Sequence, residues 1–224
     1  MTRETLDRKL KDLLNEVILL GGMVEEATLN GVRALKDRDL ALSQKVYDGD
    51  GEINEKRFEL EERTITIIAT QQPMARDLRT LTAILEVITE LERMGDYAKG
   101  IGRINLNIGP ESKQEPPIEL VRMAELGVDM LHQALEAFAA GDESKARKIP
   151  AMDDKVDDLF KKVHSSLLEE MASEVKSVED YNHLLWASHN LERLADRVTN
   201  ICERTIFIAT GQLLELDSSD DENR

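Results

Sequence analysis

Residues 91–101 read LERMGDYAKGI and residues 191–201 read LERLADRVTNI, two nearly matching segments a hundred positions apart. An internal repeat constrains the fold more than any other feature here, because it sets the architecture and marks which residues occur in both halves. Glu92, Arg93, Asp96 and Ile101 recur as Glu192, Arg193, Asp196 and Ile201. A second alignment, offset by 103, sets Asp50-Gly51-Glu52-Ile53-Asn54 against Asp153-Asp154-Lys155-Val156-Asp157. Each half therefore carries acids on two of its segments.

The periodicity is helical throughout. Leu6, Leu10, Leu13, Val17, Leu20, Val24, Ala27, Gly31 and Ala34 step by three and four along one stripe. Lys36-Asp37-Arg38-Asp39 is a polar turn, and Leu42, Val46, Ile53, Leu60, Thr64 and Ile67 carry a second helix whose middle is weakened by Gly49 and Gly51. Gln71-Gln72-Pro73 ends it. A third helix opens with Asp77 in its first turn and runs to about Leu106. Three of the five prolines fall at the midpoint of the chain, making 109–117 a linker. Further helices are predicted over 118–140, from Asp142 with a kink or restart at Pro150, and from Ser177, where Asp180 suggests a capping box.

The expected fold is all-α: two tandem three-helix bundles related by internal duplication. The first repeat covers 1–108, the linker 109–117 and the second repeat 118–214. Residues 215–224 form an acidic tail, expected to be disordered. A chain that is 4% aromatic and 33% charged suits long amphipathic helices better than a β-sandwich.

A net charge of −16 argues against direct binding to nucleic acid, which needs a basic patch, and suits hard cations or basic protein partners. The lone Cys202 excludes a disulfide framework and fits a reducing cytosol. The charged start lacks the apolar core of a signal peptide, and the longest apolar run, Val17 to Val24, is too short to span a bilayer. The expectation is a cytoplasmic protein that reaches a membrane only peripherally, through partners.

The repeated acid pair is where the chemistry is expected. Acids are common here, 45 of 224 residues, so a pair four apart usually means a solvated helix face. This pair, however, recurs in a matched context beside the apolar stripe, as Leu85, Ile88 and Leu91 precede Glu92 at helical spacings. Like charges one turn apart repel, so a compensating cation is expected, either a side chain or a metal. Arg93 and Arg193 diverge from the glutamates before them and are expected to pair with other helices. Two carboxylates one turn apart, joined by acids of the adjacent helix, make an oxygen-rich pocket suited to Mg²⁺, Ca²⁺, Mn²⁺ or iron. Interhelical salt bridges are the alternative reading.

His189 could join Glu192 and Asp196 on one face, but the first half has Thr89 there, so a surface histidine is the simpler reading. Cys202, Trp186 and the methionines are read as core. There is no Gly-rich phosphate loop and no Ser-His-Asp ordering, so catalysis is not expected.

Three segments carry a family resemblance: Gln71-Gln72-Pro73-Met74-Ala75-Arg76-Asp77-Leu78-Arg79, Leu91-Glu92-Arg93-Met94-Gly95-Asp96, and Leu191-Glu192-Arg193-Leu194-Ala195-Asp196-Arg197 with Thr199-Asn200-Ile201. With Gly21-Gly22-Met23-Val24-Glu25 and Ile208-Ala209-Thr210-Gly211, the chain resembles the PhoU family of phosphate-uptake regulators along nearly its whole length. The resemblance implies a non-enzymatic homodimer that represses the phosphate-starvation response when phosphate is plentiful. It would act as an adaptor between the ATPase of the phosphate ABC transporter and a sensor histidine kinase. It also implies metal ions (iron, or another divalent ion such as Zn, Mg or Mn) on acid-x-x-x-Asp motifs. Carried over by position, the candidate ligands are Glu92 and Asp96 in the first half, Asp153, Asp157, Glu192 and Asp196 in the second, and Asp50. One position departs from the pattern: Asn54 stands where the second half has Asp157, so the first-half site should be weaker or differently loaded. A dimetal-carboxylate enzyme on a helical bundle is the alternative, weakened by the lack of matching Glu-x-x-His pairs.

Overall fold

The computed structural model describes residues 3–173 and 177–216. Helix α1 spans Arg3–Asp37, α2 Leu40–Gln71, α3 Arg76–Ile108, α4 Ile118–Ala140, α5 Glu143–Ala146, α6 Asp153–Ser173 and α7 Val178–Thr210. A 3-10 turn, Pro150–Met152, precedes α6. Helices α1, α2 and α3 pack as one three-helix bundle and α4, α6 and α7 as a second. The expected α1 stripe is the buried one: Leu13, Val17, Leu20 and Val24 are fully buried.

The duplication extends to the turns. Arg38 and Gly141, 103 residues apart, both adopt left-handed backbone. The residue after each, Asp39 and Asp142, donates its N–H back five residues to Ala34 and Ala137, both at 2.9 Å. Asp39 then caps α2 by accepting from Leu42 N–H, and Asp142 caps α5 by accepting from Lys145 N–H.

Beyond the cap the halves part. α2 runs unbroken through Gly49 and Gly51. Its counterpart is interrupted, because Pro150 has no N–H to bond Ala146 and its ring obstructs a continuing helix. The chain restarts at Asp153, so Asp50 sits mid-helix while Asp153 sits in the first turn of α6.

The bundles join along two antiparallel seams. On α1 and α4, His132 Nδ1 lies 3.3 Å from Glu25, and a Cβ on Gly21 would come within 2.1 Å of Leu135 Cδ1, so a larger residue there would force Leu135 to move. On α3 and α7, Arg79 reaches the Ile208 carbonyl, Glu86 meets Arg204 at 3.0 Å, and Glu90 accepts from Asn200 at 3.2 Å. Asn190 lies against Gly100 in the same way, where a Cβ would sit 2.7 Å from its Nδ2. Glu90 corresponds to Asn190 and Asn200 to Gly100, so the same contact occurs twice with roles exchanged. That is the relation a two-fold axis between the repeats requires.

The linker is tied to both bundles. Gln114 accepts from Tyr181 Oη and donates to Ser177 Oγ, its carbonyl accepts from Arg38, and Ser112 donates to Asp180. The capping box expected at Ser177 therefore does not form: Ser177 makes no side-chain cap bond, and both its hydroxyl and Asp180 are engaged by the linker. Leu216 N–H donates to Glu203 at 2.8 Å and Leu216 packs on the core, so residues 215 and 216 of the expected tail are still placed; 217–224 lie outside the described residues. Among the described residues, no helix is long and apolar enough to cross a membrane.

Two side chains depart from the sequence reading. Trp186 is 56% exposed, not core, standing edge-on to His189 at 6.0 Å between centroids. Its neighbours Leu184 and Ala187 are buried, so the α7 stripe passes on either side of it. Of the methionines, Met94, Met123 and Met130 are fully buried, whereas Met74 lies exposed in the turn before α3. Cys202 is fully buried as expected, and burial pushes its thiol up to about 12.

Candidate functional site

The repeated motifs lie on α3 and α7, each presenting two faces. In α3, Glu90 and Tyr97 turn to the seam: Arg197 donates to Glu90 at 2.8 Å and to Tyr97 Oη at 3.0 Å, and the Arg193 guanidinium stacks over the Tyr97 ring at 5.2 Å. Arg193 thus reaches another helix, as expected. Arg93 does not; it pairs with Glu90 one turn back on its own helix at 3.2 Å, because i, i+3 spacing brings it over the rim of the seam where Glu90 lies. The other face, with Glu92 and Asp96, turns to α2 and Asp50. In the second half, Glu192 and Asp196 turn to α6 and Asp153. Glu92 and Glu192 are half-buried and Asp96 and Asp196 exposed, so the two motifs occupy matching environments.

In the first half a side-chain cation completes the cluster. Lys99 Nζ lies 2.6 Å from Asp50 Oδ2, 4.0 Å from Asp96 Oδ1 and 5.6 Å from the centre of the Tyr47 ring. Asn54 donates to the same Asp50 oxygen at 3.0 Å. Asp50 Oδ1 is buried with no hydrogen-bond donor against it. Burial raises the Glu92 carboxyl and nearby Asp96 adds to the rise, against the positive field of Arg57. Burial and Asp50 raise Asp96, opposed by Lys99. The hydrogen bond to Asp50 raises Lys99 itself, holding the ammonium charged.

The second half is built differently. Asp153 is 3% exposed, and neither of its carboxylate oxygens meets a hydrogen-bond donor. Burial, then the fields of Asp196, Asp157 and Glu192, push its carboxyl up to about 7, and once protonated it can share that proton with the Asp196 carboxylate. The α6 dipole favours an anion in the first turn, but burial among carboxylates outweighs it. The Thr199 hydroxyl, also buried, has no hydrogen-bond partner. His189 Nδ1 stands 3.3 Å from Glu192 Oε2, and Phe160 packs near His164 and His189 at 5.9 and 6.3 Å between ring centroids.

The structure therefore gathers the predicted acids in two groups: Asp50, Glu92 and Asp96, and Asp153, Asp157, Glu192 and Asp196. Among the described residues, no three Asp, Glu, His or Cys side chains stand close enough to enclose a metal ion. The donor chemistry of the second group nonetheless fits a hard divalent cation: the buried Asp153 and Asp157 carboxylates lie beside the more accessible Glu192 and Asp196, and both oxygens of Asp153 lack donors. In the first group an ammonium already sits against the buried carboxylate. Sequence reasoning missed Lys99, Tyr47 and Arg57, although a comparison of the positions where the repeats differ would have singled them out.

The PhoU domain model matches residues 17–104 and 120–205, one match in each bundle. The phosphate-specific transport system accessory protein PhoU homolog of Clostridium acetobutylicum is 31% identical over 218 residues, covering 97% of this chain and 100% of its own. The phosphate-specific transport system accessory protein PhoU of Escherichia coli K12 is 34% identical over 207 residues, covering 91% of this chain and 85% of its own. The crystal structure of the phosphate transport system regulatory protein PhoU from Streptococcus pneumoniae superposes with a TM-score of 0.87 at 29% identity, covering 94% of this chain and 100% of that one.

Proposed function

Because the chain belongs to the PhoU family, we propose that it regulates phosphate uptake and the phosphate-starvation response, as an adaptor between the phosphate ABC transporter and its sensor histidine kinase. The observation that carries this reading is that both repeats match the family and that near-full-length relatives are named as accessory proteins of phosphate-specific transport. The net charge of −16 supports docking to basic surfaces on such partners. Purified chain should bind the transporter ATPase and the cytoplasmic part of the kinase, and its deletion should switch on starvation genes in phosphate-rich medium. No binding to either partner, with starvation genes still silent, would refute the adaptor role.

The second-half carboxylates, Asp153, Asp157, Glu192 and Asp196, are the residues that would hold a metal ion, with the buried Asp153 oxygens as the main support. Such an ion would supply the positive charge that this pocket needs, tying α6 to α7. Metal analysis of protein purified without a metal-affinity column tests this directly. The alternative of a dimetal-carboxylate enzyme has no observation in its favour, and the relatives are named accessory or regulatory proteins.

A further inference from the structure

We propose that the two repeats divide the task of neutralising their acids: the Lys99 ammonium is the resident counter-cation of the first half, and metal is taken only by the second. The first half is furnished for a side-chain cation. Lys99 is held by Asp50 at 2.6 Å, with Asp96 at 4.0 Å and the Tyr47 ring face at 5.6 Å. Asn54 supplies an amide to the Asp50 oxygen that Lys99 also contacts, making a two-donor clasp. A metal ion entering here would have to displace an ammonium from a carboxylate that is 5% exposed.

The second half has lost each of these fittings. At the positions matching Lys99, Tyr47 and Asn54 it has Thr199, Pro150 and Asp157. The counterpart of Asp50 is Asp153, buried with no donor on either oxygen, and the hydroxyl of Thr199, at the position matching Lys99, is also unsatisfied. A buried carboxylate in this state needs a cation or a proton. The ammonium that solves the problem in one repeat is absent from the other, so the exogenous ion has one home rather than two.

This inference rests on the metal reading of the second half, and the experiment separates the two. The full chain, stripped with chelator, is titrated with Mn²⁺ by calorimetry and assayed for bound metal. Thermal melts of the stripped form are run in parallel. Asp153→Asn should abolish Mn²⁺ binding, and Asp50→Asn should leave it unchanged. In the melts, Lys99→Met should lower Tm by about 4–10 °C, since removing one partner strands a buried charge. Asp50→Asn combined with Lys99→Met should recover most of that loss, and Lys99→Arg should melt close to wild type. Metal that survives Asp153→Asn and disappears in Asp50→Asn overturns the division. A Lys99→Met chain that melts like wild type overturns the role of the lysine. If the wild-type chain takes up no Mn²⁺, the second-half metal reading falls and the division with it, while the melts still decide whether Lys99 is the counter-cation of Asp50.

Discussion

Tyr47, Asn54, Arg57 and Lys99 of the first bundle stand where the second has Pro150, Asp157, Phe160 and Thr199. Around them the scaffold is conserved down to the caps: Asp39 and Asp142 make the same turn, and Glu92 and Glu192 sit at the same depth. These four exchanges alone move the second pocket three charges toward the negative. The consequence appears in the buried acid on the neighbouring helix. Asp50 receives an ammonium and an amide, whereas Asp153 receives no donor and is pushed up to about 7. Duplication preserved geometry while the charge balance diverged.

The sharpest way to break this contrast is to neutralise Asp153 in metal-stripped protein. A carboxyl raised above its unfolded value binds its proton more tightly when folded, so its contribution to stability is present at low pH and is lost as pH rises from about 4 through about 7. The full shift would correspond to roughly 4 kcal/mol, and solvent screening and relaxation reduce it to about 2. Asp153→Asn should therefore raise Tm by about 4–8 °C at pH 8, by roughly a third of that at pH 5 and hardly at all at pH 3.5, read by melts in chelator. Equal effects at all three pH values would show that Asp153 is not strained by charge.

The seam offers a second, smaller comparison. Glu90 accepts from Arg197, Asn200 and Arg93, whereas its repeat mate Asn190 faces Gly100. Glu90→Ala should cost about 1–3 kcal/mol by stranding a mostly buried Arg197, and Asn190→Ala should stay within about 0.5 kcal/mol, both by denaturant unfolding. Similar losses would mean that the seam is held by packing alone.

The smallest effect concerns the helix that carries Asp50. A Cβ on Gly51 meets nothing within 4 Å, so no close contact requires glycine there. Gly51→Ala should stabilise the first bundle by about 0.5–1 kcal/mol, raising Tm by about 1–4 °C. A loss instead would indicate that the α2 backbone beside Asp50 needs glycine's freedom.

The helices and their grouping were legible because the apolar stripes of α1, α3 and α7 are long and the repeat supplies each stripe twice. The break at Pro150 was legible for a covalent reason: a proline has no N–H in any context. What escaped were choices made between helices. Arg93 and Arg193 are equivalent by sequence, yet one folds back to Glu90 and the other stacks on Tyr97, because the repeat mate of Tyr97 is Arg197, which offers Arg93 no ring to stack on. Ser177 and Asp180 carry the letters of a capping box but serve the linker, whose position no local rule specifies. Trp186 keeps helical spacing with the core yet lies outside it, since spacing alone does not distinguish the edge of a stripe from its centre. Lys99 is invisible to the repeat itself, which marks the positions the halves share, while the distinction between the two pockets lies where they differ.

The α3–α7 seam is toothed along its length, from Arg79 opposite Ile208, through Glu86 and Glu90 opposite Arg204 and Asn200, to Gly100 opposite Asn190. That is about 30 Å of contact at 1.5 Å per residue. Sliding one helix along the other would mismatch every tooth at once and drive a side chain into Gly100. Turning about the level of Gly95 and Ala195 disturbs the teeth least at the centre and most at the ends. The soft coordinate between the halves is therefore a scissor rather than a piston, with each acid pocket placed close to the pivot.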